Sequence, residues 1–192
     1  MTIKIGINGF GRMGRLSMRA AFDWDDIEIV QINDPAGNAE TLAHLMTFDS
    51  IHGRWHHEAT HDGDLMIIND NAIPCTQIKG TQDIDWSKCD VVIEASGKIK
   101  TKALLQAYLD QGVKRVVVTA PVKEDGVLNI VLGVNEDLYD KAIHPIVTAA
   151  SCTTNCLAPV VKVLHEKIGI KHGSMTTIHD ITNTQTILDA PH

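Results

Sequence analysis

Gly9, Gly11 and Gly14 stand in "INGFGRMGR", between the β-branched run "IKIGIN" of residues 3–8 and the helix-like "LSMRAAFDW". Glycines spaced G-x-G-x-x-G, after a strand and before a helix, leave few folds open. The first permits a tight turn, the second lets backbone approach a pyrophosphate, and the third allows close helix–strand packing. The helix N-terminus behind them offers N–H groups and a partial positive charge to phosphates. A lone glycine pattern is also what an ordinary βα turn looks like. Here a second strand, "IEIVQIN", ends at Asp34, about 20 residues on, where a carboxylate bonds the adenine ribose hydroxyls. Strand, loop, helix, strand and acid together predict dinucleotide binding. An acid at that place repels a 2′-phosphate, which favours NAD over NADP. Taken alone, Asp34 also reads as an acid starting a turn before Pro35.

The rest of the chain continues the pattern. "NAETLAHLMTF" (38–48) reads as a helix, and residues 51 to 90 read as small antiparallel strands in "LMIIND" and "AIPCTQIKG". "CDVVIEASG" returns to a buried parallel strand. "TKALLQAYLDQG" is a helix closed by Gly112. "KRVVVTAP", "LNIVLGV" and "HPIVTAAS" are further strands. The expected fold is α/β, a doubly wound (Rossmann-type), mostly parallel sheet. A net charge of -7 argues against a nucleic-acid or anionic-membrane surface. Any phosphate must then be held by local groups. No apolar run approaches a membrane span, and "MTIKIGINGF" has no signal-peptide pattern. Four cysteines without an export signal read as reduced thiols, with the cytoplasm as the expected compartment.

Two of those thiols fall in "TAASCTTNCLAP". Cys152 follows a strand and opens a helix, with Ser151 as candidate N-cap, a position that lowers a thiol pKa. Cys156 is one turn deeper, and Leu157, Val160, Val161, Leu164 and Ile168 share one helical face. Cys156 is therefore expected to be a buried packing residue. Pro159 should kink the helix or remove one backbone bond. A Cys-x-x-x-Cys pair without a second pair is a poor zinc pattern. A thiolate needs an acid/base partner, and His179, at the end of the expected strand "GSMTTIHDIT", is one of ten candidate histidines. "IHGRWHHEATH" gathers His52, His56, His57 and His61, but at a spacing that fits no rigid metal template; a solvated loop and strand is expected there.

"INGFGRMGR", "INDP", "FDSIHGRW", "SCTTNCLAP" and "TTIHDITNTQ" occur in order at separations that resemble the N-terminal part of a phosphorylating glyceraldehyde-3-phosphate dehydrogenase. The resemblance implies that Cys152 is the nucleophile and His179 its partner. It implies that Ser151 and Thr153 line an inorganic-phosphate site, and that Thr182 and Thr184 surround the substrate phosphate and the neighbouring phosphate site. Asn8, Gly9, Phe10, Gly11, Arg12, Met13, Gly14, Asp34, Ser96 and Thr119 match positions around NAD. The implied partners are a small phosphorylated aldehyde and inorganic phosphate or arsenate, with a homo-oligomer in the full-length family. The implied division is an NAD-binding domain over 1–151 and, over 152–192, the start of a truncated α+β catalytic domain.

Some residues depart from the family's usual pattern. Ala150 stands where asparagine is common, Ala95 where serine is common, and Asp180 beside the histidine. These departures, with "INDPAGNAETLAHL", resemble a branch associated with arsenate resistance. Relative to the family, most of the substrate domain is absent, including the arginine that grips the substrate phosphate. Impaired turnover, or a non-catalytic NAD-binding remnant, is the expectation for this chain by itself. Erythrose 4-phosphate remains the alternative aldehyde.

Overall fold

The computed structural model describes residues 2–179. Thr182, Thr184 and Asp180 lie outside the described residues. The chain runs β1 (Ile3–Asn8), α1 (Arg12–Ala21), β2 (Ile27–Asn33) and α2 (Ala39–Thr47), and then three short strands, β3 (Ala59–Asp62), β4 (Leu65–Ile68) and β5 (Asn71–Thr76). It continues with β6 (Val91–Glu94), α3 (Lys102–Asp110), β7 (Arg115–Val118), β8 (Leu128–Asn129), β9 (Ile146–Thr148) and α4 (Cys152–Lys167). Among the described residues the strands form one sheet in the order β3-β4-β5-β2-β1-β6-β7-β9-β8. The β3–β4–β5 meander is antiparallel, and β5 joins β2 in parallel. Every other pairing is parallel. The doubly wound sheet expected from the sequence is therefore present.

Local chemistry accounts for the helix boundaries. Asn38 caps α2 by accepting from the Thr41 N–H at 3.0 Å, and Thr101 caps α3 through Leu104. Gly112, at φ +97°, ends the turn after α3, as its position predicts. Helix α1 begins at Arg12, four residues before the segment read as helical, because the glycine loop itself turns into the first helical turn. The "LNIVLGV" strand shrinks to two residues. Residues 173–179 form no strand, contrary to the reading of "GSMTTIHDIT".

Two apolar clusters cover the sheet. One joins Ile7, Phe10, Met18, Ile32, Leu42 and Met46 around β1, β2, α1 and α2. The other joins Trp86, Val92, Leu105, Tyr108, Val116 and Ile146 around β6, β7 and α3. Between them, a row of strand ends is tied by polar groups. The Asn8 amide donates to Glu94 Oε2 and to the Tyr108 hydroxyl, both at 2.7 Å, and Asn33 donates to Asn8 Oδ1 at 2.9 Å. The Tyr108 hydroxyl donates to the Glu94 carboxyl. Burial, with Glu94 alongside, pushes the Tyr108 phenol up, so it keeps its proton and remains a donor. Asn33 extends the network by accepting from Thr76 Oγ1 at 2.8 Å and from the Ile78 N–H at 2.9 Å. Asn8, Asn33 and Glu94 are all buried, so each bond replaces solvation that folding removed. Asn8→Ala removes the amide donor to Glu94 and leaves buried polar atoms unmatched. It should destabilise the fold by about 2–3 kcal/mol, read as a lower urea midpoint at unchanged slope.

Candidate functional site

Pairing register decides where the candidate residues meet. Asn33 lies opposite Asn8, Asn8 opposite Glu94, Glu94 opposite Val118, and Val118 opposite Thr148. Five parallel strands thus end in one row. The next residues continue the ladder for one more bond: Gly9 N to Asn33 O (2.8 Å), Ala95 N to Asn8 O (2.7 Å), Thr119 N to Glu94 O (2.9 Å) and Ala149 N to Val118 O (2.9 Å). Asp34, Ser96 and Cys152 follow within a few residues on the same edge. In open α/β sheets this carboxyl edge, at the reversal of strand order, is where ligands bind. Here the chain leaves β1 for β2 on one side and returns to β6 on the other.

The glycine loop fits a dinucleotide. Gly9 has φ +90°, and a Cβ there would stand 2.4 Å from the Ser96 backbone nitrogen. A Cβ on Gly14 would stand 2.2 Å from the Gly9 carbonyl oxygen, so α1 packs tightly on the turn. Among the described residues no side chain caps α1 at Gly11, and its first turn carries no acid. The first-turn N–H groups and the positive helix end therefore suit a pyrophosphate. Asp34 accepts from the Phe10 N–H at 2.7 Å and from the Ala36 N–H at 2.9 Å. Asp34 starts the turn at Pro35, as the second reading expects, and also clamps the glycine loop. Its carboxylate oxygens keep lone pairs for ribose hydroxyls.

The remaining cofactor candidates divide by role. Asn8 is buried and its amide is committed to the strand-end network, so it supports the loop from below. Phe10 is fully buried and meets the site through backbone. Met13 is exposed on α1. Arg12 points toward Asp49, with 3.5 Å between Nη2 and Oδ1. Ser96 donates through its backbone N–H to Glu94 Oε1 at 2.8 Å, and the half-buried Thr119 donates to the Glu94 carbonyl at 3.3 Å. Glu94, Asn33 and Tyr108 were missed as supporting residues. For Asn33 and Glu94 the signal was present in the sequence, as polar residues closing the apolar strands "IEIVQIN" and "CDVVIEASG"; Tyr108, on α3, carried none.

The thiol sits at the other end of the same edge. Ser151 caps α4, its Oγ accepting from the Thr154 N–H at 3.0 Å, and Cys152 is the first helical residue. The turn before it is strained. Ala150 holds φ +56°, and its N–H donates to Thr148 Oγ1 at 3.0 Å. Left-handed backbone costs a non-glycine residue about 1–2 kcal/mol, asparagine less, which gives physical sense to asparagine being usual there. Cys152 Sγ and His179 Nε2 lie 3.3 Å apart. That contact, with the Thr153 N–H, holds the Cys152 thiol below its ordinary pKa against a smaller opposing effect of burial. Residues 175–179 and the α4 face of Cys152, Cys156, Leu157 and Val160 line an open groove beneath the thiol.

Cys156 is exposed, which corrects the expectation of burial. The apolar stripe on α4 is real, but among the described residues nothing covers it; Val160 and Ile168 are exposed and no α4 residue is buried. The helix does run through Pro159, and its other side meets the body through Lys162, which donates to the Gly133 carbonyl at 2.9 Å. Burial pushes the Cys75 and Cys89 thiols up to about 11.

Fold and site together define a class: a doubly wound, dinucleotide-binding sheet carrying a thiol–imidazole pair on its carboxyl edge. A family model described as glyceraldehyde 3-phosphate dehydrogenase, NAD binding domain, matches residues 3–102, and one described as the C-terminal domain of the same enzyme matches 151–192. The chain belongs to the glyceraldehyde-3-phosphate dehydrogenase family, and NAD is the cofactor of its N-terminal domain. Glyceraldehyde-3-phosphate dehydrogenase 3 of Nostoc sp. is 54% identical over 194 aligned residues, covering 100% of this chain and 57% of the relative. Glyceraldehyde-3-phosphate dehydrogenase 1 of Bacillus subtilis and the enzyme of Geobacillus stearothermophilus are each 44% identical over the same spans. The chain thus spans 57% of the length of these relatives.

Exposure alone does not separate Cys152 from Cys156, so the thiolate should. Iodoacetamide at neutral pH is expected to alkylate Cys152 at least about tenfold faster than Cys156, followed by peptide mapping. Because His179 lowers the Cys152 pKa, His179→Ala should move the inflection of the alkylation rate to higher pH.

Proposed function

We propose that this chain carries the NAD-binding and acyl-transfer part of a phosphorylating glyceraldehyde-3-phosphate dehydrogenase. One observation carries the reading: the 3.3 Å approach of Cys152 Sγ to His179 Nε2 at a helix start on the carboxyl edge of an NAD-binding sheet. The Cys152 thiolate attacks the aldehyde carbon, forming a C–S bond, while His179 protonates the carbonyl oxygen. His179 then takes the hydroxyl proton back as the adduct is oxidised to a thioester. When bound, NAD supplies the hydride acceptor. Gly9, Gly11, the first turn of α1 and Asp34 hold it, with Ser96 and Thr119 beside them on the same edge. An oxygen of inorganic phosphate attacks the thioester carbonyl, the C–S bond breaks, and the thiolate is restored as the acyl phosphate leaves. Ser151 and Thr153 stand at the helix start where that anion approaches, and Thr182 and Thr184 complete the anion sites in this reading.

The division at 151/152 follows the same logic, and the family match over 151–192 supports it. The cytoplasm, where NAD and phosphorylated aldehydes meet, is the proposed compartment; no described helix is long and apolar enough to cross a membrane. Arsenate has the shape and charge of phosphate, so the acceptor step accommodates either, and the departures at Ala95, Ala150 and Asp180 support the arsenate-associated branch. NADH formation from glyceraldehyde 3-phosphate, followed with phosphate and with arsenate, tests the reading. Slow turnover is expected of the chain alone, falling by about a thousandfold or more in Cys152→Ser. Equal rates for the two proteins would sink the assignment. Asp34→Ala should weaken NAD binding about tenfold in a fluorescence titration.

A further inference from the structure

Far from that edge, the fold brings together three groups the reaction does not use. Asp23 follows the C-terminal end of α1, about 15 Å along the helix from the glycine loop. His56 Nε2 lies 3.1 Å from Asp23 Oδ2, and His57 Nε2 lies 2.6 Å from Asp23 Oδ1. One ligand atom from each of the three residues falls within 4.8 Å of the others. We propose that Asp23, His56 and His57 form a binding site for a divalent transition ion of the Zn²⁺ type.

The geometry is close to what such an ion needs. Zn–N and Zn–O bonds of about 2.0–2.1 Å in a tetrahedron place neighbouring ligand atoms about 3.3 Å apart. The 3.1 Å separation of His56 Nε2 from Asp23 Oδ2 is close to that, and the 2.6 Å pair of His57 Nε2 with the other carboxylate oxygen, Oδ1, must open by about 0.7 Å. The donor set, two imidazoles and one carboxylate, suits zinc and its neighbours; magnesium and calcium take all-oxygen cages. The fourth position is left to water.

The half-buried ligand is also preorganised. The His57 ring packs edge-on against Trp55 and Phe22, with centroids 4.7 and 5.2 Å away. Its Nδ1 accepts from the Asn69 side-chain amide nitrogen at 2.9 Å, so the ring carries its proton on Nε2 and donates it to Asp23; a bound ion takes the place of that proton. The His56 ring lies beside it, tilted by 46°, with 4.1 Å between ring centroids. The His-His dipeptide by itself suggested a solvated loop because the third ligand comes from the far end of α1. His52 and His61, the other members of the sequence cluster, take no part in the three-residue group.

The test is Zn²⁺ titration of the purified chain at neutral pH, after iodoacetamide has blocked Cys152 and Cys156. One Zn²⁺ per chain is expected. Co²⁺ in its place should show a visible d–d spectrum without thiolate charge transfer. Asp23→Asn and His56→Ala, both at exposed positions, should each lower the affinity at least about tenfold while leaving the circular dichroism spectrum unchanged. Absence of binding by the blocked wild-type chain, or unchanged affinity in both variants, overturns the site.

Discussion

The row of aligned strand ends is the constraint on which the rest depends. Parallel pairing in this register places Asn33, Asn8, Glu94, Val118 and Thr148 side by side. A one-residue slip would turn every side chain to the other face of the sheet. Apolar residues resist that slip on both faces, and the Asn33–Asn8–Glu94–Tyr108 network resists it at the edge. Buried polar groups make the register specific because each has partners in this arrangement and none in a slipped one. The glycine loop, Asp34, Ser96, Thr119 and Cys152 then inherit their places from the backbone to which they are joined.

Two helix starts meet that edge with different tasks. At α1 neither a capping side chain nor a first-turn acid competes for the N–H groups, so the positive end is left for phosphate. At α4 the cap is filled by Ser151, and the helix start acts on Cys152 instead. The strained backbone of Ala150 is what turns the chain from β9 into α4 so sharply that the thiol opens the helix. Strain of that kind persists where surrounding bonds over-determine the turn, here the Thr148 hydroxyl below and the Asn155 amide, which donates to the Ala149 and Ser151 carbonyls at 2.7 and 2.9 Å.

Much of this was legible in the residues. Alternation and β-branched runs marked β1, β2 and β6, and the glycine spacing with Asp34 marked the cofactor loop, because turns, close packing and phosphate approach each demand glycine at a set place. Cys152 stood out from Cys156 by position at a helix start. The same apolar stripe that made Cys156 look buried was read correctly as a stripe and wrongly as covered. A periodic pattern states which side of a helix prefers to leave water, and says nothing about whether a partner is there. The strand expected in "GSMTTIHDIT" does not form over its described residues, 173–179, for a related reason: β propensity is realised when a neighbouring strand supplies hydrogen bonds, and the described residues supply none.

By itself, the sequence determined most of the order of strands and helices, the dinucleotide loop, the acid that follows it and a cysteine at a helix start, all of which rest on local spacing and backbone chemistry. Tertiary structure decided which histidine of ten reaches Cys152, that Asn8 braces the site from within while Asp34 clamps the loop, and that Asp23 joins His56 and His57. Those outcomes depend on distances between residues far apart in the chain. Such distances are set by sheet register and helix packing, and no local pattern encodes them.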